Sequence, residues 1–286
     1  MSEGILVFGK TGQVARELAG LLPEARFLGR AEADLADPGH CAQVILAERP
    51  RAVLNVAAYT AVDRAETEAE LARTVNADAP AAMAQAAAEL SVPFLHVSTD
   101  YVFDGSGDRP RAEGSPTAPL GVYGRTKRKG EERIAENGGQ WAVLRTSWVF
   151  SSFGANFVKT MLKLGAERDQ LNIVCDQIGG PTPAGDIAAA LVKMTEQMLS
   201  DPGKGGLYHF AGAPDASWAD FAAEIFRQAG LTCKITPIPT SQYPTPASRP
   251  LNSRLDCGAI KADFGVDRPD WRKGLADVLA RLEQTA

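Results

Sequence analysis

Cysteine is scarce in this 286-residue chain: Cys41, Cys175, Cys233 and Cys257 stand far apart, with no Cys-x-x-Cys pair among them. This excludes a disulfide framework and a zinc ribbon, and leaves reduced, mostly buried thiols. Histidine is scarcer still. His40, His96 and His209 fall on a helix start and two strands, so none is assigned to catalysis or to a metal. An excess of positive charge is also missing: 30 Lys+Arg against 35 Asp+Glu give a net charge of -5. Without such an excess there is no counterion-release drive toward nucleic acid. No apolar run reaches membrane-spanning length, and Met1-Ser2-Glu3 leads at once into strand-like residues. Neither a membrane span nor a secretory leader is expected, and the expected location is cytoplasmic.

What is present is an ordinary globular composition, 45% apolar and 23% charged, in a length that suits about two domains. Short strand-like runs occur at Ile5 to Phe8, Arg26 to Leu28, Ala52 to Val56, Phe94 to Val97 and Trp141 to Leu144, each separated by a helical stretch. Val14, Leu18, Leu21 and Leu22 form the apolar stripe of a helix lying on a sheet, and the Ala-rich segment Ala77 to Leu90 carries Pro80 near its start. Alternating strand and helix predicts an α/β fold: a doubly wound parallel sheet of the Rossmann type.

Beyond about residue 150 the rhythm changes. A helix is expected near Asn156 to Glu167, a strand at Leu171 to Val174, a helix after Gly185, a strand at Leu207 to Phe210 and a capped helix from Ser217. Five prolines between residues 237 and 250 exclude regular secondary structure there and predict a stiff, shaped loop. The resulting division is 1–150 for the dinucleotide-binding unit and 151–286 mainly for substrate, with part of 171–212 returning to the first unit.

Gly4-Ile-Leu-Val-Phe-Gly9-Lys10-Thr11 satisfies the Walker A expression. The match is accidental, because the residues whose N–H groups would have to wrap phosphates are a buried strand. Read from the strand's end, Gly9, Gly12, Gln13 and Val14 lie in a G-x-x-G-x-x-A turn that opens a helix. Glycine allows a pyrophosphate to approach closely there, and the helix N-terminus supplies partial positive charge. After the second strand stands Arg30, either a ligand for a 2′-phosphate or a plain exposed charge; Asp34 and Leu35 follow as candidates for the adenine pocket. NADPH is the expected cofactor, with NADH left open.

Tyr123 and Lys127 are spaced i, i+4, which puts a phenol and an ammonium on one helix face. Alone the pair would be a solvated face. Thr99, at the end of the fourth strand, supplies a third group at the sheet's carboxyl edge, where open α/β sheets hold ligands. A Lys cation lowers the pKa of a neighbouring phenol, and a hydroxyl can hold a substrate carbonyl. The three groups together suit proton donation during reduction of a ketone.

The runs Gly9-Lys-Thr-Gly-Gln-Val14, Asn55 to Asp63, Ser98-Thr-Asp-Tyr-Val-Phe103, Val122 to Lys127, Arg145-Thr-Ser-Trp148 and Tyr243 to Pro250 span nearly the whole chain. Together they resemble the dTDP-4-dehydrorhamnose reductases, a branch of the extended short-chain dehydrogenase/reductases. The resemblance implies NADPH-dependent reduction of a C4 ketone on a nucleotide sugar. Tyr123 would be the proton donor, Lys127 its electrostatic partner and nicotinamide-ribose ligand, and Thr99 the hydroxyl of the triad. It also implies that Asp100 and Trp148 contact the sugar, that Ala57, Ala58 and Tyr59 lie beside the cofactor, and that Asn156 and Arg249 serve the nucleotide diphosphate. Some members of the family dimerise through acidic residues around Mg2+, one of them just after a Pro-Thr pair. Pro181-Thr-Pro-Ala-Gly185 offers glycine at that place, so Mg2+ is doubtful, no metal ligand is assigned, and both monomer and homodimer stay open.

Two other functions share this pattern: a non-catalytic binding module resembling the regulatory subunit of methionine adenosyltransferase, and an epimerase or dehydratase that retains NAD+. The intact set Thr99, Tyr123 and Lys127 favours an enzyme over the first. Tightly bound cofactor in the absorbance of the purified protein would support the second.

Overall fold

The computed structural model describes residues 3–284; Met1 and Ser2, on which the reading of the N-terminus partly rests, lie outside the described residues. Five parallel strands come first in the central sheet: β1 (Ile5–Phe8), β2 (Arg26–Leu28), β3 (Ala52–Asn55), β4 (Phe94–Thr99) and β5 (Trp141–Thr146). The sixth is Gly206–His209, and the spatial order runs β2, β1, β3, β4, β5, Gly206–His209. The chain leaves β1 for β2 on one side and crosses back to β3 on the other. That reversal opens a crevice at the carboxyl ends of β1 and β3.

Every residue of β1 and β3 is buried, as expected for strands covered by helices on both faces. Ile5 and Val7 pack with the helix Ala184–Ser200 on one face, while Leu6 and Phe8 pack with Cys41, Ile45 and Met83 on the other. Both the helix Ala184–Ser200 and the strand Gly206–His209 therefore belong to the sheet unit. A third apolar cluster, around Phe150, Val158, Phe221, Ile225 and Trp271, forms the core of the remaining C-terminal part. The helix Trp218–Gln228 there opens with the capping pair foreseen at Ser217, whose side chain and that of Asp220 each accept from the other's backbone N–H. All four cysteines are free, and Cys175 alone is not fully buried.

The proline-rich segment is more regular than its composition predicts. Pro237 sits inside the strand Lys234–Ile238, which pairs in parallel with Gln170–Val174. Proline is tolerated because this sheet has two strands, so the missing N–H faces no second neighbour. The helix around Pro80 also departs from expectation: it continues backward through a wide π turn at Thr74–Asp78. Proline at 80 leaves the carbonyl of Asn76 without its i+4 donor, and a widened turn absorbs that mismatch.

His209 is fully buried. Its Nδ1–H donates to Arg111 O at 2.9 Å, and its Nε2 accepts from Arg145 Nη1 at 3.3 Å. Burial, and then the Arg145 cation, push its pKa down to about 3. An unfolded chain takes a proton there near pH 6.5 and the folded one does not, so this contribution to stability is complete above about pH 6.5 and is lost on acidification. Asp100, raised to about 6 by burial, acts in the opposite sense. His209→Gln should flatten the decline of the unfolding free energy, read from urea titrations between pH 6.5 and 5, by up to about 1.4 kcal/mol per pH unit. An unchanged slope would show that His209 is protonated in the fold.

Candidate active site

The turn after β1 leaves room for a ligand. Gly9 has φ +114°, and a Cβ there would lie 3.2 Å from Val56 Cγ2, so both the backbone and the available space call for glycine. Gly12 precedes the helix Gln13–Leu21 with no side-chain cap. Its first N–H groups are therefore left for an anion. A cavity of about 730 Å³ opens over this turn and the carboxyl ends of β1, β3, β4 and β5, within the range of small-molecule sites. Gly9, Gly12, Gln13, Val14, Arg30, Asp34, Leu35, Ala57, Ala58, Thr99, Asp100, Tyr123, Lys127 and Trp148 all line it.

Tyr123 and Lys127 are carried by the helix Val122–Glu136, which lies unusually close to its neighbours. A Cβ on Gly124 would fall 2.2 Å from Tyr101 O, and one on Gly130 would fall 2.2 Å from Asn76 O. These two glycines let the helix settle against the turn that follows β4 and against the π turn. Tyr101 packs edge-on against the Tyr123 ring with centroids 5.6 Å apart. Desolvation pushes the Tyr123 phenol up to about 12, while a hydrogen bond with the Thr99 hydroxyl pulls the other way. The phenol is thus protonated at neutral pH. Here the structure corrects the expectation that Lys127 depresses Tyr123: Lys127 Nζ is turned to Val97 O at 2.7 Å and His96 Nε2 at 2.9 Å, and burial brings it down to about 7.

Asp100 is buried beside Thr99, whose hydroxyl donates to its Oδ1 at 3.1 Å. Burial raises its carboxyl to about 6, against the pull of the Ser253 and Thr99 hydroxyls. Trp148 adopts a left-handed backbone, φ +49°, and stacks on Trp218 with ring centroids 3.6 Å apart. Such a conformation is strained for a bulky residue, and here it turns the indole toward the cavity. A second cavity of about 640 Å³ lies between the helix Phe157–Glu167, the strand Gln170–Val174, Tyr243 and Arg249. Trp218 borders both cavities.

Two expected site residues are placed otherwise, and a third lies away from the first cavity. Tyr59 turns away from the first cavity, donating its hydroxyl to Glu68 Oε2 at 2.6 Å. Asn156 caps the helix Phe157–Glu167: its Oδ1 accepts from Lys159 N, and its Nδ2 donates to Gln13 Oε1 at 2.9 Å and Ser151 O at 2.7 Å. With those bonds made it organises the loop beside the glycine turn and has no capacity left for a diphosphate. Arg249 is held by Asp63 at 2.9 Å while it borders the second cavity. Conversely, Lys10, Thr11, Thr146, Ser147 and Trp218 line the first cavity without having been foreseen. Lys10 falls inside the recognised turn and could have been read there. The other signal lies in the tertiary structure alone: the Thr146 hydroxyl is buried at the end of β5 with no hydrogen-bond partner.

A family model described as the RmlD substrate binding domain matches residues 2–284. The dTDP-4-dehydrorhamnose reductase of Sinorhizobium fredii is 44% identical over 94% of each chain. The chain belongs to this reductase family. The dTDP-4-dehydrorhamnose reductase of Escherichia coli K12 is 41% identical over 98% of each chain. The crystal structure of the Bacillus anthracis reductase in complex with NADP superimposes with a TM-score of 0.91 at 31% identity, covering 98% of this chain and all of that one. The site fits the dinucleotide: the family's glycine turn is open, Thr146, whose buried hydroxyl has no partner, borders the cavity, and Lys10 and Arg30 stand at the β2 end. Among the described residues, no group of three or more His, Cys, Asp or Glu could hold a metal ion, and no helix is long and apolar enough to cross a membrane.

Gly124→Ala should drive the helix off Tyr101 O, destabilising the fold by about 1–3 kcal/mol and weakening cofactor binding. Gly114→Ala, with open space around the position, should do neither. Equal urea midpoints for the two variants would show that the close approach has no energetic weight.

Proposed function

We propose that this protein reduces the C4 ketone of dTDP-4-dehydro-β-L-rhamnose to dTDP-L-rhamnose with NADPH, a step in making a sugar donor for cell-surface polysaccharide. One observation carries the reading: Thr99, Asp100, Tyr123 and Lys127 share a cavity with an open glycine turn, in a chain 44% identical to a dTDP-4-dehydrorhamnose reductase. The relatives' names favour this reading over the regulatory-subunit and epimerase or dehydratase alternatives.

When bound, NADPH supplies the hydride. Thr99 presents a hydroxyl to the substrate carbonyl, and Tyr123, kept protonated by desolvation, delivers its proton to the oxygen as negative charge develops there. Such proton donation is worth roughly 10²–10⁴ in rate. Asp100 changes charge near pH 6 beside the same hydroxyl, and Trp148, braced by Trp218, provides a flat apolar wall for the sugar ring. Lys127 would hold the nicotinamide ribose, and Lys10 with Arg30 would receive the 2′-phosphate. The second cavity, bordered by Arg249 and Tyr243, suits the nucleotide. The sheet unit would then carry the cofactor, and the rest of residues 151–286 the substrate. A monomer and a homodimer both satisfy the reading. It places the protein in the cytoplasm, and it calls for no membrane, nucleic acid or Mg2+.

The direct test is NADPH oxidation with dTDP-4-dehydro-L-rhamnose generated in place, run beside NADH and a dTDP-4-keto-glucose control. Oxidation dependent on the rhamnose-type ketone is expected; silence with both cofactors would overturn the reading. Tyr123→Phe should lower kcat by about 10²–10⁴ while still binding NADPH, and a near-normal rate would remove it as proton donor. Arg30→Ala should weaken NADPH far more than NADH, whereas equal losses would exclude a role at the 2′-phosphate.

A further inference from the structure

His96 is left without a role by the sequence and by the reaction just described. It lies on β4, 1% exposed, between two side chains that are themselves buried, Asn55 and Lys127. Its Nδ1 is 3.1 Å from Asn55 Nδ2, and its Nε2 is 2.9 Å from Lys127 Nζ.

Hydrogen counting constrains this chain of contacts. Asn55 Oδ1 accepts from Ala57 N at 3.1 Å, which turns the amide NH2 toward His96. Nδ1 accepts from this amide, its hydrogen-bonded neighbour, in preference to donating to the Asn55 main-chain carbonyl, which draws the ring proton more weakly. A neutral imidazole has one N–H, so it sits on Nε2 and points at Lys127 Nζ. An ammonium has no lone pair with which to receive it, whereas an amine does, and an amine can still donate to Val97 O at 2.7 Å. His209 shows the ordinary arrangement for contrast, with one donor and one acceptor facing its two nitrogens.

The surroundings agree. Glu131, two turns beyond Tyr123 on the same helix, is the nearest candidate counter-charge, but Arg145 takes both its oxygens at 2.9 and 2.6 Å, and Ser98 donates to it at 2.6 Å. Asp78, on the π turn packed against the helix, is held by Arg73 and Arg133. Asp100 lies at the far end of β4 beside Thr99. Tyr123 is a neutral phenol. Glu131 still favours a Lys127 cation through space, but burial outweighs it, and burial likewise opposes the charged form of His96.

We propose that His96 is a positioning residue that holds Lys127 as the uncharged amine, so that Lys127 acquires its charge together with the cofactor, by taking one proton from solvent. The anionic phosphates and the ribose hydroxyls then supply what the protein withholds: countercharge and acceptors for an ammonium turned into the cavity. The inference rests on the proposed use of NADPH, and it makes binding of the cofactor the event that switches on the cation.

Titration calorimetry of NADPH into the whole protein at pH 8.5, in two buffers of different ionisation enthalpy, counts the protons exchanged. Wild type should take up close to ~1 proton per cofactor, since a group moved from about 7 toward the ordinary ~10.4 is mostly deprotonated before binding and protonated after. The 2′-phosphate is already a dianion at that pH, and cationic neighbours favour that form, so it adds no uptake. In His96→Gln the side-chain oxygen can accept from an ammonium, so uptake should fall below half; in Lys127→Met it should vanish. Wild-type uptake near zero would overturn the proposal without recourse to any variant. So would uptake unchanged in His96→Gln, or persisting in Lys127→Met. Because the readout is binding, normal proton uptake in a protein that reduces no dTDP ketone would uphold this inference and sink the functional reading alone.

Discussion

Four elements meet at the buried ion pair between Arg145 on β5 and Glu131 on the helix Val122–Glu136. Ser98 on β4 donates to the carboxylate, and His209 on the outermost strand accepts from the guanidinium. Both ions are nearly inaccessible, so each is tolerable because the other is present. Removing one partner of such a pair costs about 3–5 kcal/mol. The pair fixes the rotation of the helix about its own axis. Tyr123 and Lys127 sit two turns and one turn before Glu131 on the same face, so the contact that anchors the helix also aims its chemistry at the carboxyl end of β4. Gly124 and Gly130 set how close the helix comes; the ion pair sets which face it shows.

That arrangement keeps buried polar groups neutral wherever no partner is supplied. His209 is satisfied on both nitrogens without a charge, and Tyr123 retains its proton because desolvation outweighs the Thr99 hydrogen bond. Lys127 lacks a carboxylate of its own because Arg145 has engaged the one nearest it. A site that must accept an anionic dinucleotide benefits from this reserve: charge that the fold does not compensate is available for the ligand to compensate. Trp148 illustrates the same use of local cost, its left-handed backbone being held by face-to-face stacking on Trp218.

Much of the fold and part of the site were legible in the sequence, for identifiable reasons. Five short apolar runs separated by helical stretches specify a parallel sheet, because strands buried on both faces cannot alternate. Thr99 was legible because ligands gather at the carboxyl ends of such strands, and Tyr123 with Lys127 because i, i+4 spacing fixes one helix face. Pro237 misled because composition does not say that a strand has one neighbour rather than two. Asn156 and Tyr59 fell in the right segments, but a polar side chain's partner depends on what the fold brings to it: a helix N-terminus for Asn156 and Glu68 for Tyr59. Trp218 and Thr146 gave no local signal: one reaches the site by stacking on a residue 70 positions away, and the other borders it with a buried hydroxyl whose missing partner only the fold reveals.

The sequence by itself determined the α/β order, the glycine turn and the residue types available for reduction of a ketone, because these follow from periodicity and short-range spacing. The tertiary structure alone decided the protonation states and partners of those residues. A phenol's pKa depends on how much water is excluded around it. A lysine's charge depends on whether a carboxylate is free to meet it, and here the nearest one had already been taken by an arginine from another strand.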